Sequence, residues 1–216
     1  LIETTPWLMG RFCSATAAGF YVQVSHQLGA NDAAMARSTL RQGIMSVFIV
    51  SALIGLVALA ISPFLPTWLG GDSSITPTSS AYFAVIAMAL PAFQFSMFGS
   101  GMLRSSGNMI VPSVMSMVMM TLDVIFNFFL IFDTRTVDVL GMSLTLPGAG
   151  MGVVGAGIGT ASAELIAASI TMYILCFRNK ELNLKIDRGR FLPTWDVVRR
   201  ALHIGLPMGI QQTIMT

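Results

Sequence analysis

Long apolar stretches separated by short polar segments fill almost the whole chain. A helix that spans a bilayer needs about 20 mostly apolar residues. Five stretches meet that length, at about 7–28, 42–65, 79–100, 110–132 and 151–177. A sixth begins near Ala201 and is cut off by the end of the sequence. None alternates apolar and polar residues over about 10 positions, as the strands of an outer-membrane barrel do. The pattern therefore predicts an all-α fold, a polytopic α-helical membrane protein.

The connecting segments carry turn chemistry: "LGANDAA", "LPTWLGGDSS", "GSGMLRSSGN" and "DTRTVDVLGMSLTLPGAG". Trp68 stands where an interfacial aromatic belongs, and His26 and Gln27 close the first stretch at the other interface. Pro91 removes a backbone hydrogen bond from the third stretch and is expected to kink it.

Composition agrees with the pattern. Hydrophobic residues make up 54% of the 216 and charged residues 10%, against about 25% charged in soluble domains. Mean hydropathy is +0.75. The 14 Phe and 16 Met suit an apolar, adaptable interior. Cys13 and Cys176 both lie in apolar runs and read as inert core thiols. With only His26 and His203 besides, no metal cluster or disulfide framework is expected. Glu3 and Arg11 break up the N-terminus, so no secretory signal peptide is read there. The basic residues form no aromatic-interleaved patch, which argues against nucleic-acid binding.

Charge gives orientation. The first, third and fifth connections hold Arg37, Arg41, Arg104 and seven basic residues between Arg178 and Arg200; the second and fourth hold only Arg135. This asymmetry puts loops 29–41, 101–109 and 178–200 on the cytoplasmic side of a cell membrane. In the last connection, "FRNKELNLKIDRGRFLPTWDVVRR", Thr194 can cap a short helix from Trp195 towards Leu202. Its apolar and charged residues fit either a helix lying on the membrane surface or a solvated linker between two bundles.

Two acidic residues sit deep in expected spans: Asp123 and Glu164. A charge at the bilayer centre costs about 2.5–3.5 kcal/mol on insertion scales, so such residues face protein or a wet cavity. Asp123 and Asn127 are four apart and share one helix face. Their oxygens suit a hard cation or a proton; the alternative is a hydrogen-bonded pair that only joins helices. In "PGAGMGVVGAGIGTASAELIAAS" Gly148/Gly152 and Gly155/Gly159 recur every four residues, which permits close helix approach. That approach would bring Thr160 and Glu164, on one face with Ala156, to neighbouring helices. The Thr160 hydroxyl either returns to its own backbone or serves a site. Glu164, if buried, can be neutralised by a proton. No G-x-S-x-G, H-E-x-x-H or P-loop occurs, so an enzyme is not expected.

Four stretches resemble the MATE (multidrug and toxic compound extrusion) transporters. "GANDAAMARSTLRQG" is similar to the loop after the family's second helix. "GSGMLRSSGNMIVPSVMSMVMMTLDVIFNFFLIF" is similar to its fourth-loop and fifth-helix stretch. "GMGVVGAGIGTASAELI" resembles its sixth-helix opening, and "RRALHIGLPMGIQQ" the start of its seventh helix. The resemblance implies a twelve-helix, two-lobe transporter related by pseudo-twofold symmetry. This chain would be a fragment: residues 1–178 the N-lobe bundle (helices two to six), 179–200 a cytoplasmic linker with an amphipathic helix, and 201–216 the start of helix seven.

It also implies a monomer that exports organic cations, drugs or other amphipathic molecules by antiport against sodium or protons, with no further cofactor. The family's DinF-like branch uses an Asn and an Asp four apart in helix five, a Thr in helix six and an Asp in helix one. That points to Asp123, Asn127 and Thr160 as a cation site, with the first two residue types interchanged and the charge moved by one turn, about 6 Å. Glu164 has no role carried over and reads as a cavity or proton-linked group. The NorM-like branch carries an acidic residue early in helix seven, where Met215 stands. Two alternatives are a lipid-linked oligosaccharide flippase of the same superfamily and a non-transporting membrane fragment.

Overall fold

The computed structural model describes residues 4–65, 76–139, 142–186, 189 and 191–214. In order, the chain forms α1 (Thr4–Gly29), α2 (Ala33–Ile61), α3 (Thr76–Ser105), α4 (Ile110–Ile131), a hairpin of β1 (Asp133–Val139) and β2 (Met142–Ala149), α5 (Gly152–Tyr173) ending in a π turn (Ile174–Arg178), and α6 (Trp195–Ile214). Among the described residues, α2, α3 from Pro77, α4, and α5 with its π turn are long and apolar enough to cross a membrane. The first expected span is likewise one helix, of 26 residues, with a more polar sequence. Trp68 lies outside the described residues.

Two tight turns use the same device. Asn31 adopts a left-handed φ of 62°, the Asp32 N–H returns to the Gln27 carbonyl at 2.9 Å, and the Asp32 carboxylate accepts the Met35 N–H at 3.0 Å. Gly107 (φ 77°) and Asn108 repeat this between α3 and α4: the Asn108 N–H bonds the Leu103 carbonyl at 2.9 Å, and its side chain accepts the Val111 N–H at 3.1 Å. A left-handed residue satisfies the carbonyls of the helix that stops, and an Asx side chain satisfies the amides of the helix that starts. "GAND" and "SSGN" are thus helix-stop, helix-start signals.

Helix α3 is the hub. It packs on α1, α2 and α5 and runs unbroken through Pro91. The main core gathers Phe20, Val24, Leu40, Val47, Phe98, Met102 and Leu175. Phe20 and Phe98 meet edge to face at 6.4 Å, and Gly43 leaves the room, since a Cβ there would lie 2.8 Å from the Phe98 ring. A smaller core at the opposite end joins Ala58, Leu65, Phe83, Ala87 and Leu90. Helix α5 lies between α3 and α4, which scarcely touch each other.

The fourth connection is more ordered than a plain loop. Its β-branched run pairs as an antiparallel hairpin, Val137 opposite Leu144 and Val139 opposite Met142. At its base the Gly150 and Met151 N–H groups bond the Phe132 and Leu130 carbonyls, each at 2.9 Å.

The last connection also departs from expectation. Trp195–Ile214 is a single helix, so the division at 200/201 falls inside α6. The start of α6 packs on the bundle through one side: Ala201 is buried against α1, where its backbone occupies the space a Gly19 side chain would need. Gln23 donates to the Val197 carbonyl at 3.3 Å. Nor does Thr194 spend its hydroxyl on the helix; it donates to Gln42 Oε1 at 2.8 Å. Upstream, Leu182 is fully buried in the main core, and Arg41, only 3% exposed, donates to the Leu184 carbonyl at 3.1 Å. The described residues of the segment 179–194 form a strap across one end of the bundle.

Because Gly19 lets α1 and α6 touch backbone to backbone, Gly19→Val should cost about 1–3 kcal/mol by overpacking. The measurement is thermal unfolding in detergent, where the melting temperature falls while membrane insertion is retained.

Candidate cation site

The hairpin base fixes how α4 and α5 face each other. Beyond it, a Cβ on Gly155 would meet the Leu130 carbonyl at 2.5 Å, and one on Gly159 would meet Asn127 Oδ1 at 2.5 Å. The two helices therefore run antiparallel in near backbone contact, as the glycine spacing of the sequence predicts. One turn further along both, Asp123 comes level with Ala163 and Glu164. Asp123 lies about 20 Å from the start of α4 and about 12 Å from its end at 1.5 Å per residue, well inside an apolar helix.

Helix α3 supplies the third wall. Gly157 faces Tyr82 and Val85 of α3, and a Cβ on that glycine would lie 3.0 and 3.5 Å from their side chains. Glu164 lies seven residues on, along the same side of α5. It is buried, at 6% exposure. The Ser96 hydroxyl of α3 donates to its carboxylate, which also feels the Asp123 carboxylate of α4. Ser96, Glu164 and Asp123 thus join three helices at mid-depth.

Thr160 is half-buried, next to Gly159 and one turn from Glu164. By helical spacing it falls between the α4-facing and α3-facing sides of α5. Asp123 and Asn127 are also half-buried, but one oxygen of each, Oδ1, is fully buried and has no hydrogen-bond partner. Among the described residues only Gln27 Oε1 shares that condition. Buried polar atoms are nearly always satisfied, so two orphaned oxygens one turn apart single out this spot. The amide oxygen of Asn127 is seated against Gly159. Carboxylate, amide and hydroxyl oxygens are the donor set of a hard cation, and a proton on a carboxylate satisfies it equally. Among the described residues no three or more His, Cys, Asp or Glu cluster as metal ligands.

The sequence pattern alone does not single out Ser96. Its signal is nevertheless present, since Gln94 and Ser96 are polar residues in the apolar run "AFQFSMF", and Gln94 is 3% exposed.

This arrangement of helices matches known proteins. The MatE family model covers residues 2–129, more than half of the sequence. The chain belongs to the MatE family. Its fold is that of solved MATE transporters. A MATE crystallised in complex with MaL6 superposes with a TM-score of 0.81 at 17% identity, over 98% of this chain and 43% of that one. An inward-facing multidrug resistance MATE transporter of the MOP superfamily gives 0.77 at 19% identity, over 96% of this chain and 44% of that one. A MOP superfamily transporter from Pyrococcus furiosus, described as having a binding pocket of reversed polarity that suggests a different function, gives 0.70 at 21% identity over 97% and 43%. The chain therefore spans less than half the length of these MATE structures. Members of the family are transporters, and this chain shares their multi-pass helical architecture.

The contact between Gly159 and Asn127 yields a prediction. Gly159→Ala should destabilise the bundle by about 1–3 kcal/mol. Asn127→Ala in the same chain should restore part of the loss by removing the overlapping oxygen. Melting temperatures of the two single variants and the double variant check this, and additive effects would contradict the contact.

Proposed function

We propose that this chain forms the first lobe, and the start of the second, of a MATE-type secondary transporter. The transporter exports drugs, organic cations or other amphipathic molecules by antiport against sodium or protons. The observation that carries this reading is the pair of orphaned buried oxygens on Asp123 and Asn127, with Glu164 beside them. An entering cation or proton satisfies those oxygens, and its departure leaves them costly. The site therefore favours different helix arrangements when filled and empty, which is what alternating access requires.

In this reading Asp123 supplies the charge, Asn127 and Thr160 supply neutral oxygens, and Glu164 adds a second carboxylate steadied by Ser96. The interchange of Asp and Asn fits that picture: the amide sits in the tight Gly159 contact, and the carboxylate stands one turn away from it. Thr160 supports the DinF-like branch, and Met215, standing where the NorM-like branch carries an acidic residue, argues against that one. The basic bundle end, with loops 29–41, 101–109 and 178–200, is cytoplasmic in a cell membrane by charge asymmetry. The exporter is favoured over a lipid-linked oligosaccharide flippase because the site is built from carboxylates, while the basic side chains of Arg37, Arg41, Arg104 and Arg178 belong to helix ends. A non-transporting fragment gives no account of the orphaned oxygens.

The test is reconstitution of the full-length transporter in proteoliposomes with sodium and pH gradients imposed separately. Asp123→Asn should abolish gradient-driven export while the protein still inserts and melts cooperatively. Unchanged ion-driven transport in that variant would sink the assignment. Ser96→Ala should weaken apparent affinity for the coupling ion about tenfold, the effect of losing an outer-shell partner, with the maximal rate kept.

A further inference from the structure

The strap has two sides. Inward, Leu182 is in the core, Gln42 Oε1 accepts both the N–H and the hydroxyl of Thr194 at 2.9 and 2.8 Å, and Asn179 donates to the Ser106 hydroxyl at 2.7 Å. These bonds fix the segment against the bundle. Outward, it leaves large apolar groups uncovered: Ile186 is 58% exposed, Phe191 46%, Leu192 70% and Trp195 72%.

Basic groups accompany them. Lys180, Lys185, Arg199 and Arg200 are exposed. Arg199 lies one turn from Trp195 on the same face of α6, and the Lys185 ammonium sits over the ring of the exposed Phe177, 5.2 Å from its centre. Between residues 178 and 200 the sequence has seven basic and three acidic residues. The strap also lies at the ends of the spanning helices α3 and α5, which is the level of the headgroups.

We propose that the outward side of this strap, around Ile186, Phe191, Leu192 and Trp195, is a docking surface for a bilayer surface rich in anionic lipid. Exposed aromatic and aliphatic groups enter the boundary between headgroups and acyl chains. The flanking ammonium and guanidinium groups meet lipid phosphates, a contribution that grows with the anionic fraction. A water-facing linker of the same charge needs no four large apolar groups turned away from the bundle. The mode differs from that expected of a free amphipathic helix: the bundle holds the strap in place, so little ordering is left to membrane contact.

The experiment makes Trp195 the sole tryptophan of the full-length transporter, with Trp7→Phe, Trp68→Phe and Phe in place of every tryptophan outside these 216 residues. The protein is reconstituted into vesicles of phosphatidylcholine alone and of phosphatidylcholine with phosphatidylglycerol. Trp195 emission is expected to be blue-shifted, shielded from acrylamide, and quenched by lipids brominated near the headgroup. Quenching should increase with the phosphatidylglycerol fraction, and that increase should be lost on combining Lys180→Gln, Lys185→Gln, Arg199→Gln and Arg200→Gln. Emission untouched by bromolipid overturns the proposal, whether water covers the strap and leaves the emission red-shifted and acrylamide-accessible, or a protein covers it and leaves the emission shielded. Quenching that ignores anionic lipid overturns its electrostatic half. The bromolipid result on the unaltered linker stands even if the fourfold variant misfolds. Neither measurement involves transport, so it is independent of the ion-coupling assignment.

Discussion

Everything in this bundle depends on how closely α5 approaches its neighbours. Lipid tails are as apolar as the side chains they touch, so helices in a bilayer gain little by hiding apolar groups from one another. They must gain from close packing instead. Gly155 and Gly159 admit the α4 backbone and the Asn127 amide, while Gly157 on the other side admits Tyr82 of α3. Helix α5 is therefore a wedge with a glycine notch towards each partner. Only in that geometry does the carboxylate of Glu164 reach both the Ser96 hydroxyl and the field of Asp123. The polar groups tolerated at this depth follow from the small ones beside them.

The hairpin between α4 and α5 serves the same end. Its base bonds the Leu130 and Phe132 carbonyls to the Met151 and Gly150 amides, so α5 starts at a set height against α4. The pairing of Asn127 with Gly159, and of Asp123 with Glu164 one turn on, is then a matter of counting residues. A shift of one position at the base would rotate α5 by about 100° and carry the notches off their partners.

Much of this is legible in the sequence because the apolar runs, the misplaced charges and the glycine period are local signals. The spans, the turn motifs "GAND" and "SSGN", and the close α4–α5 approach follow from residues next to each other in the chain. Ser96 is not legible, because one hydroxyl in an apolar run is ordinary until Glu164 is seen to face it. The strap is not legible for a related reason. Its charged residues read as a linker, but the segment and the helix that follows are held by Gln23, Arg41 and Gln42, more than 140 residues earlier. Contacts of that range leave no periodic trace. The nearness of Asp123 to Glu164 is intermediate: both stand out as misplaced charges, but only the packing of α5 brings Glu164 within the field of Asp123.

The strap also bears on how the protein is made. Arg41 leaves the ribosome 143 residues before Leu184, whose carbonyl it binds in the finished bundle. At about 5–20 residues per second this is a delay of roughly seven to thirty seconds. During that interval α3, α4 and α5 are synthesised one after another, and a core position is still waiting for Leu182. The bundle of α1 to α5 is thus completed by residues synthesised after it, and its maturation is timed by the ribosome's passage through the strap.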